Sequence, residues 1–165
     1  MSTATPLSYS LPQKLLHWAM ALLILFNLIF SDNIEAWDHA ADNGTMTPDI
    51  LAGANIHAYV GISILALAVL RLILRLVQGA PAATAEEPPL LQLASKLAHG
   101  TFYLLFFVMP LTGIGKYYFD VDIAGFLHGG PLKVLLWALI VVHVAAVAVH
   151  KVVWKTNVLE RMTRG

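Results

Sequence analysis

The sequence contains no cysteine and little charge. Only 12% of its 165 residues are charged, whereas 58% are hydrophobic. An average soluble domain is about 25% charged and about 45–50% apolar, so an ordinary soluble globule and a disordered chain are both excluded. The absence of cysteine excludes a disulfide framework, iron–sulfur clusters, cysteine-based zinc sites and thioether-linked haem. The formal net charge is zero, so the composition gives no support for nucleic-acid binding.

Four hydrophobic stretches approach the length needed to cross a bilayer, which is about 20 mostly apolar residues. They do not alternate with a period of two, and only helices or closed barrels satisfy their backbone in lipid. The first stretch contains His17 and Trp18 and lacks a small-x-small cleavage site, so we expect a retained helix rather than a signal peptide. We predict an all-α, integral membrane four-helix bundle forming one domain over residues 1–165, with helices at about 14–31, 51–77, 93–119 and 132–154.

The charged residues are divided unevenly between the two sides of these spans. Four spans place both termini on one side, and the short loops of that side carry most of the basic residues. By the positive-inside rule we expect both termini in the cytoplasm of a bacterium and the chain in its inner (plasma) membrane. The predicted loops are 32–50, 78–92 and 120–131. The inner side holds Lys14, Arg71, Arg75, Lys96, Lys151, Lys155, Arg161 and Arg164 with Glu86, Glu87 and Glu160; the outer side holds Lys116 and Lys133 with Asp32, Glu35, Asp38, Asp42, Asp49, Asp120 and Asp122.

The chain has seven histidines, most of them within or beside the predicted spans. An ionisable residue at membrane depth is costly and therefore indicates a functional site. We expect His57 and His128 at the outer level of the bundle and His17 and His143 at the inner level. The alternative role for a single membrane histidine is a hydrogen bond between helices. The remaining three are His99 and His150 near the inner surface and His39, which we expect in a solvated loop.

These histidines fit haem b better than other metal centres. Neutral imidazole is the commonest protein metal ligand, and the lack of thiols and buried carboxylate clusters disfavours soft-metal and hard-oxygen sites. Zinc or copper would still fit a histidine cluster, but an apolar four-helix bundle accommodates a flat apolar macrocycle between facing helices. His128 and His143 are 15 residues apart, which on a helix is about 60° off one face and about 22 Å along the axis. This spacing predicts two haems b, one held by His57 and His128 and one by His17 and His143.

His128 is followed by Gly129, Gly130 and Pro131, so it could instead lie on a loop. In that case the outer haem is absent or is held differently, and the chain holds one haem rather than two.

Several motifs in order along nearly the whole chain resemble the bacterial cytochrome b561 family. They are Leu16-His17-Trp18, the segment from Asn55 through His57 to Ser63, Arg71-Leu72-Ile73-Leu74-Arg75, Ala98-His99 with Phe102 to Phe106, His143-Val144-Ala145-Ala146 through His150 to Trp154-Lys155, and Leu159 to Met162. The resemblance implies a four-helix membrane cytochrome with two haems b and ligands at His17, His57 and His143. Family members commonly have a longer second outer loop, and His128 stands about one residue off the spacing expected for the fourth ligand. His99 and His150 match family histidines that are not usually ligands.

Two haems stacked across a bilayer would carry electrons, and two axial imidazoles on each iron favour outer-sphere transfer. The resemblance implies exchange with the quinone pool, with superoxide as the outer donor in one kind of member. A quinone site needs an apolar slot with hydrogen-bond donors, and His150 and His99 are the candidates. Snorkelling to the headgroups is the alternative for His150. The acidic outer side does not attract an anion, so the electron donor stays open.

Two other functions remain open from the sequence. One is a b-type cytochrome anchor subunit that passes electrons from a partner dehydrogenase or hydrogenase to quinone. The other is a non-redox membrane protein that carries a metal along a histidine-lined pathway.

Overall fold

The computed structural model describes residues 6–83 and 87–164 of the chain. These residues are predominantly helical and contain no strand. Four helices among them are long and apolar enough to cross a membrane. The predicted all-α membrane bundle is therefore confirmed. Glu86, which the charge analysis assigned to the inner side, lies outside the described residues.

Seven α-helices follow one another in the described residues. The four spans are α1, α3, α4 and a composite of α5 and α6, in which a π-helical turn at His128–Leu132 joins the two helices into one span from Asp122 to Val152. The bounds are α1 Leu11–Ile29, α2 Asp32–Asn43, α3 Pro48–Gln78, α4 Pro89–Phe119, α5 Asp122–Leu127, α6 Lys133–Val152 and α7 Val158–Thr163.

Local sequence signals explain why the first two spans begin earlier than predicted. Ser10 and Gln13 form a capping box at the start of α1, in which each side chain accepts a hydrogen bond from the other residue's backbone N–H. Thr47 caps α3 by accepting from the Ile50 N–H, and Pro48 occupies the first turn, where a missing N–H costs nothing. Both spans therefore start three residues before the hydrophobic runs do.

Two connections that we predicted as loops are partly helical, so those predictions were wrong. The loop at 32–50 contains α2, whose first turn carries Asp32 and Glu35 beside the positive end of the helix dipole. Gly44 ends α2 in the left-handed conformation, with φ of 67°. His39 consequently lies on a helix, where its side chain is exposed. The loop at 120–131 is replaced by α5 and most of the π-helical turn, so the fourth span begins ten residues earlier than 132.

The spans pack in the order in which they occur, α1 on α3, α3 on α4 and α4 on α6, and α2 packs on the outer part of α3. Their buried core consists of Met20, Ile24, Ile64, Ala68, Leu105 and Leu136. Leu136 lies in sequence midway between His128 and His143, so the core falls between the two histidine levels. Large apolar side chains on the outside are strongly exposed, as in Leu22 at 69% and Leu76 at 76%. They contact the lipid bilayer, the solvent in which such a surface is favourable.

Candidate functional site

The structure brings His57 of α3 and His128 of the π-helical turn together at the outer level. Their ring centres are 6.1 Å apart and their planes make an angle of 76°. Nδ1 of His128 lies 2.8 Å from the carbonyl oxygen of Met109 and 3.3 Å from the hydroxyl of Thr112. A carbonyl only accepts, so Nδ1 carries the hydrogen and Nε2 is left with a lone pair. This arrangement is the usual one for a histidine that binds a metal through its second nitrogen.

A cavity of about 420 Å³ adjoins the outer pair. Cofactor sites commonly have volumes of about 300–1,000 Å³ and mostly apolar walls. Gly61 and Gly113 line this cavity, and their lack of side chains widens it. Asn27 donates to the carbonyl oxygen of His57, while its own Oδ1 is buried without a hydrogen-bond partner among the described residues. The cavity and its two small residues beside paired imidazoles fit a flat cofactor.

His17 of α1 and His143 of α6 meet at the inner level. Their ring centres are 6.2 Å apart and their planes make an angle of 54°. His99 packs edge-on against His143 at 5.9 Å, and Phe102 does the same at 5.7 Å. His99 is thus part of the inner site, with its Nδ1 2.7 Å from the carbonyl oxygen of Ser95. A ring nitrogen at that distance from a carbonyl carries the hydrogen.

Arg71 also lies beside the inner histidine pair, although we predicted it only as a residue of the inner surface. Its guanidinium nitrogen Nη2 lies 3.2 Å from Nδ1 of His17, and its Nε is buried. A signal for this placement is present in the sequence, because Arg71 follows His57 by 14 residues on one helix. That spacing corresponds to nearly the same face and about 21 Å along the axis, which is the separation of the two levels.

Both histidine pairs have the separation expected for two axial ligands. Two imidazoles that share one metal ion through bonds of about 2.0–2.1 Å hold their ring centres about 6 Å apart. Among residues 6–83 and 87–164, no group of three or more histidine, aspartate or glutamate side chains could hold a bare metal ion. Paired imidazoles therefore fit haem iron, whose other four ligands come from the macrocycle, better than they fit an ion held by protein alone.

Salt bridges tie α2 across the outer mouth of the cavity. Lys133 donates to Glu35 at 3.0 Å and to Ser31 at 3.3 Å, and this lysine holds the pKa of the Glu35 carboxyl below its usual range. Lys116 lies 3.6 Å from Asp38. No local pattern indicates that α2 lines the cavity, because its polar residues are typical of a solvated loop. Its cavity-lining residues are Ile34, Glu35, Trp37, Asp38 and Asp42.

His150 is not part of either pair. It lies at the inner end of α6 and is only 9% exposed, with Nδ1 2.9 Å from the hydroxyl of Thr156. It is therefore buried and does not extend toward the headgroups. His39 contributes to neither level.

The four spans bring imidazoles together in two pairs at two levels of the bundle. These features define a membrane-embedded helical bundle with histidine pairs suited to a flat metal cofactor. The family model of prokaryotic cytochrome b561 matches residues 8–165, and the chain belongs to that family. The chain is 31% identical over 157 residues to a protein named cytochrome b562 from Cereibacter sphaeroides, covering 94% of this chain and 95% of that protein. The predicted family is thus confirmed.

Membership of this family establishes the general function. The protein is a multi-pass bacterial membrane cytochrome of the b type, binds haem b and takes part in electron transfer.

Proposed function

We propose that the protein binds two haems b and transfers electrons between a donor at the outer face and the quinone pool. His57 and His128 would be the axial ligands of the outer haem, and His17 and His143 those of the inner haem. The observation that carries the proposal is the pairing of imidazoles at two levels, with ring centres 6.1 and 6.2 Å apart. Haem b, when bound, supplies reversible one-electron chemistry.

The protein's own residues account for the specificity of that chemistry. The two imidazoles at each level would hold the iron between them and exclude other ligands from it. The core around Leu105 and Leu136, which are 2% and 5% exposed, keeps water out of the region between the levels. Phe102 and His99 enclose the inner pair. The chain would therefore work as an electron carrier rather than as an oxygen-binding protein.

The orientation follows from charge. We place both termini in the cytoplasm, because the basic residues concentrate on the side of the membrane that they share. The inner histidine pair then faces the cytoplasmic leaflet, and a quinone dissolved in the membrane would be reached there. His99 and His150 are the candidate hydrogen-bonding residues for that quinone.

The charge balance at the outer mouth bears on the electron donor. Lys116 lies within 4 Å of Asp38, Asp120 and Asp122, and Lys133 is paired with Glu35. These two lysines are the basic residues of the outer side, and carboxylates neutralise both. This balance supports a cationic or uncharged donor, or a protein with a basic surface, over the superoxide anion.

The most informative test is the replacement His128→Ala, with His39→Ala as the matched control. Two haems per chain are expected in the wild type and in the control, and one in His128→Ala. His57→Ala should also lose the outer haem, and His17→Ala or His143→Ala the inner one. The haem-to-protein ratio and the reduced-minus-oxidised spectrum measure these outcomes.

Two results would contradict the proposal. One is a His128→Ala protein that keeps two haems. The other is reduced wild-type protein that a short-chain ubiquinone cannot reoxidise. Co-purification of a stable partner dehydrogenase would assign the chain to an anchor subunit instead.

A further inference from the structure

A second polar cluster lies at the inner end of α6. His150, Glu87 and Thr156 meet there from the end of α6, the connector before α4 and the turn after α6. They are 9%, 8% and 9% exposed, and Trp154 covers the His150 ring edge-on with ring centres 4.7 Å apart. Burying a carboxylate is costly unless it is paired. In the described part of the chain its partner is His150, whose Nε2 lies 3.8 Å from Oε1 of Glu87.

The contacts of Thr156 hold the His150 ring in place. The Thr156 hydroxyl oxygen lies 2.9 Å from Nδ1 of His150, and the carbonyl oxygen of His150 accepts from the Thr156 backbone N–H at 2.9 Å. The hydroxyl either donates to Nδ1, which leaves the ring hydrogen on Nε2, or accepts from Nδ1–H, which leaves a lone pair on Nε2. In both arrangements Nδ1 is engaged with Thr156 and Nε2 is left for Glu87.

Nε2 faces the carboxylate of Glu87. Two acceptors that face each other in a buried site repel unless a proton is present at one of them. A hydrogen on Nε2 removes this repulsion directly, and a lone pair on Nε2 requires a proton shared with the carboxylate. In either arrangement one exchangeable proton lies between the two side chains. Among the other charged groups at this end of the molecule, Lys151 is paired with Glu160, and Arg161 donates to the carbonyl oxygen of Ala82.

The proton-holding pair has a defined position relative to the inner site. His150 follows His143 by seven residues on α6, which places it about 10 Å further toward the inner surface and within about 20° of the same helix face. Glu87 belongs to the connector that precedes α4, on the inner side of the membrane. The pair therefore lies between the inner histidine pair and the aqueous phase.

We propose that Glu87 and His150 form the proton-delivery path to the quinone at the inner side. This inference rests on the proposed function. Reduction of a quinone to a hydroquinone requires two electrons, supplied through the cytochrome, and two protons. For each proton, the Nε2–H bond of His150 breaks and an O–H bond forms on a quinone oxygen. Glu87, a positioning residue, then returns a proton from the inner aqueous phase to Nε2, and the cycle occurs twice for each quinone.

The test compares Glu87→Gln with Glu160→Gln, which changes a half-buried carboxylate that is paired with Lys151 on the same side. Haem-loaded, full-length protein is reduced and mixed with a short-chain ubiquinone, and haem oxidation is followed over a range of pH. Oxidation of Glu87→Gln by the quinone should be about 100-fold slower and should lose its pH dependence. Its oxidation by ferricyanide, which takes no proton, should match that of the wild type. Glu160→Gln should behave as wild type in both reactions.

Two outcomes would overturn this inference and leave the proposed function intact. In one, the Glu87→Gln protein matches the wild type in rate and pH profile; in the other, it is slowed equally toward quinone and ferricyanide. If Glu87→Gln does not bind haem, Glu87→Asp is used instead. Its oxidation by quinone should be partly slowed, with a shifted pH profile, and an unchanged profile would contradict the inference. A wild-type protein that quinone does not oxidise but ferricyanide does would instead remove the proposed function.

Discussion

Gly113 of α4 lies directly against the imidazole of His128. A Cβ at position 113 would be 2.9 Å from Cε1 and 3.2 Å from Nδ1 of that ring. The ring cannot simply retreat, because Nδ1 is also bonded to the carbonyl oxygen of Met109 on the same helix. The absence of a side chain at Gly113 therefore fixes where the outer candidate ligand sits.

Gly113→Ala should displace the His128 ring and weaken the outer site. We expect the haem content to fall from two toward one per chain, with the inner component unchanged. Gly100→Ala is the matched control, because an added Cβ there meets nothing within 4 Å in the described part of the chain. Both variants replace a glycine within α4, so helix propensity changes equally. Equal haem content in the two variants would show that this contact does not position the ligand.

Arg71→Gln should lower the midpoint potential of the inner haem. The positive charge 3.2 Å from Nδ1 of His17 disfavours the more positive, oxidised iron, so its removal favours oxidation. The expected shift is on the order of tens of millivolts to more negative potential. Arg75→Gln is the control, since that guanidinium lies over the Tyr103 ring, 5.5 Å from its centre. A redox titration followed at the haem absorbance bands measures both, and identical shifts would contradict a specific effect of Arg71.

The Glu35–Lys133 salt bridge should make the stability of the outer end depend on pH. Lys133 lowers the folded-state pKa of Glu35, so the bridge stabilises the fold above the ordinary carboxyl pKa and is lost as pH falls through the lowered value. Both side chains are partly exposed, which limits the contribution to about 0.2–1 kcal/mol. Calorimetric unfolding of Glu35→Gln should show this loss at neutral pH and none in acid. In a Lys133→Met background, Glu35→Gln should not lower the free energy of unfolding any further. If it lowers that free energy as much as in the wild type, the Glu35–Lys133 salt bridge is not the cause.

The sequence was sufficient for the spans and for the pairing of the histidines by level. Apolar runs that begin at a capping residue such as Ser10 predict helices. Histidines at membrane depth are few, so each can be assigned to a partner at the same level. The outer helix α2 was missed because Asp32 and Asp42 resemble a solvated loop, and the small Ala40, 3% exposed, is the one buried residue of its face. The helix α2 is stabilised by packing on α3 and by the salt bridge from Lys133. Both contacts are distant in sequence, so the local pattern does not reveal them.

The position of His128 could not be predicted from a helical period. It stands about one residue off the spacing from His143 that the family resemblance implies, which on a regular helix rotates it away from the partner face. The π-helical turn at His128–Leu132 accommodates an extra residue within one turn, while Gly130 departs from helical geometry with φ of −104° and ψ of −109°. A regular period cannot anticipate such a turn. The contact of Glu87 with His150 is similarly invisible, because 63 positions separate the two residues.

Both levels take one histidine from the same span, Asp122–Val152, and the other from separate helices, α3 for His57 and α1 for His17. The distance between the two histidine pairs is therefore set by the length of this one span and not by the packing of neighbouring helices. Mutations in α1 or α3 can change one histidine pair at a time, whereas inserting or deleting residues between 128 and 143 would change the distance between the two pairs.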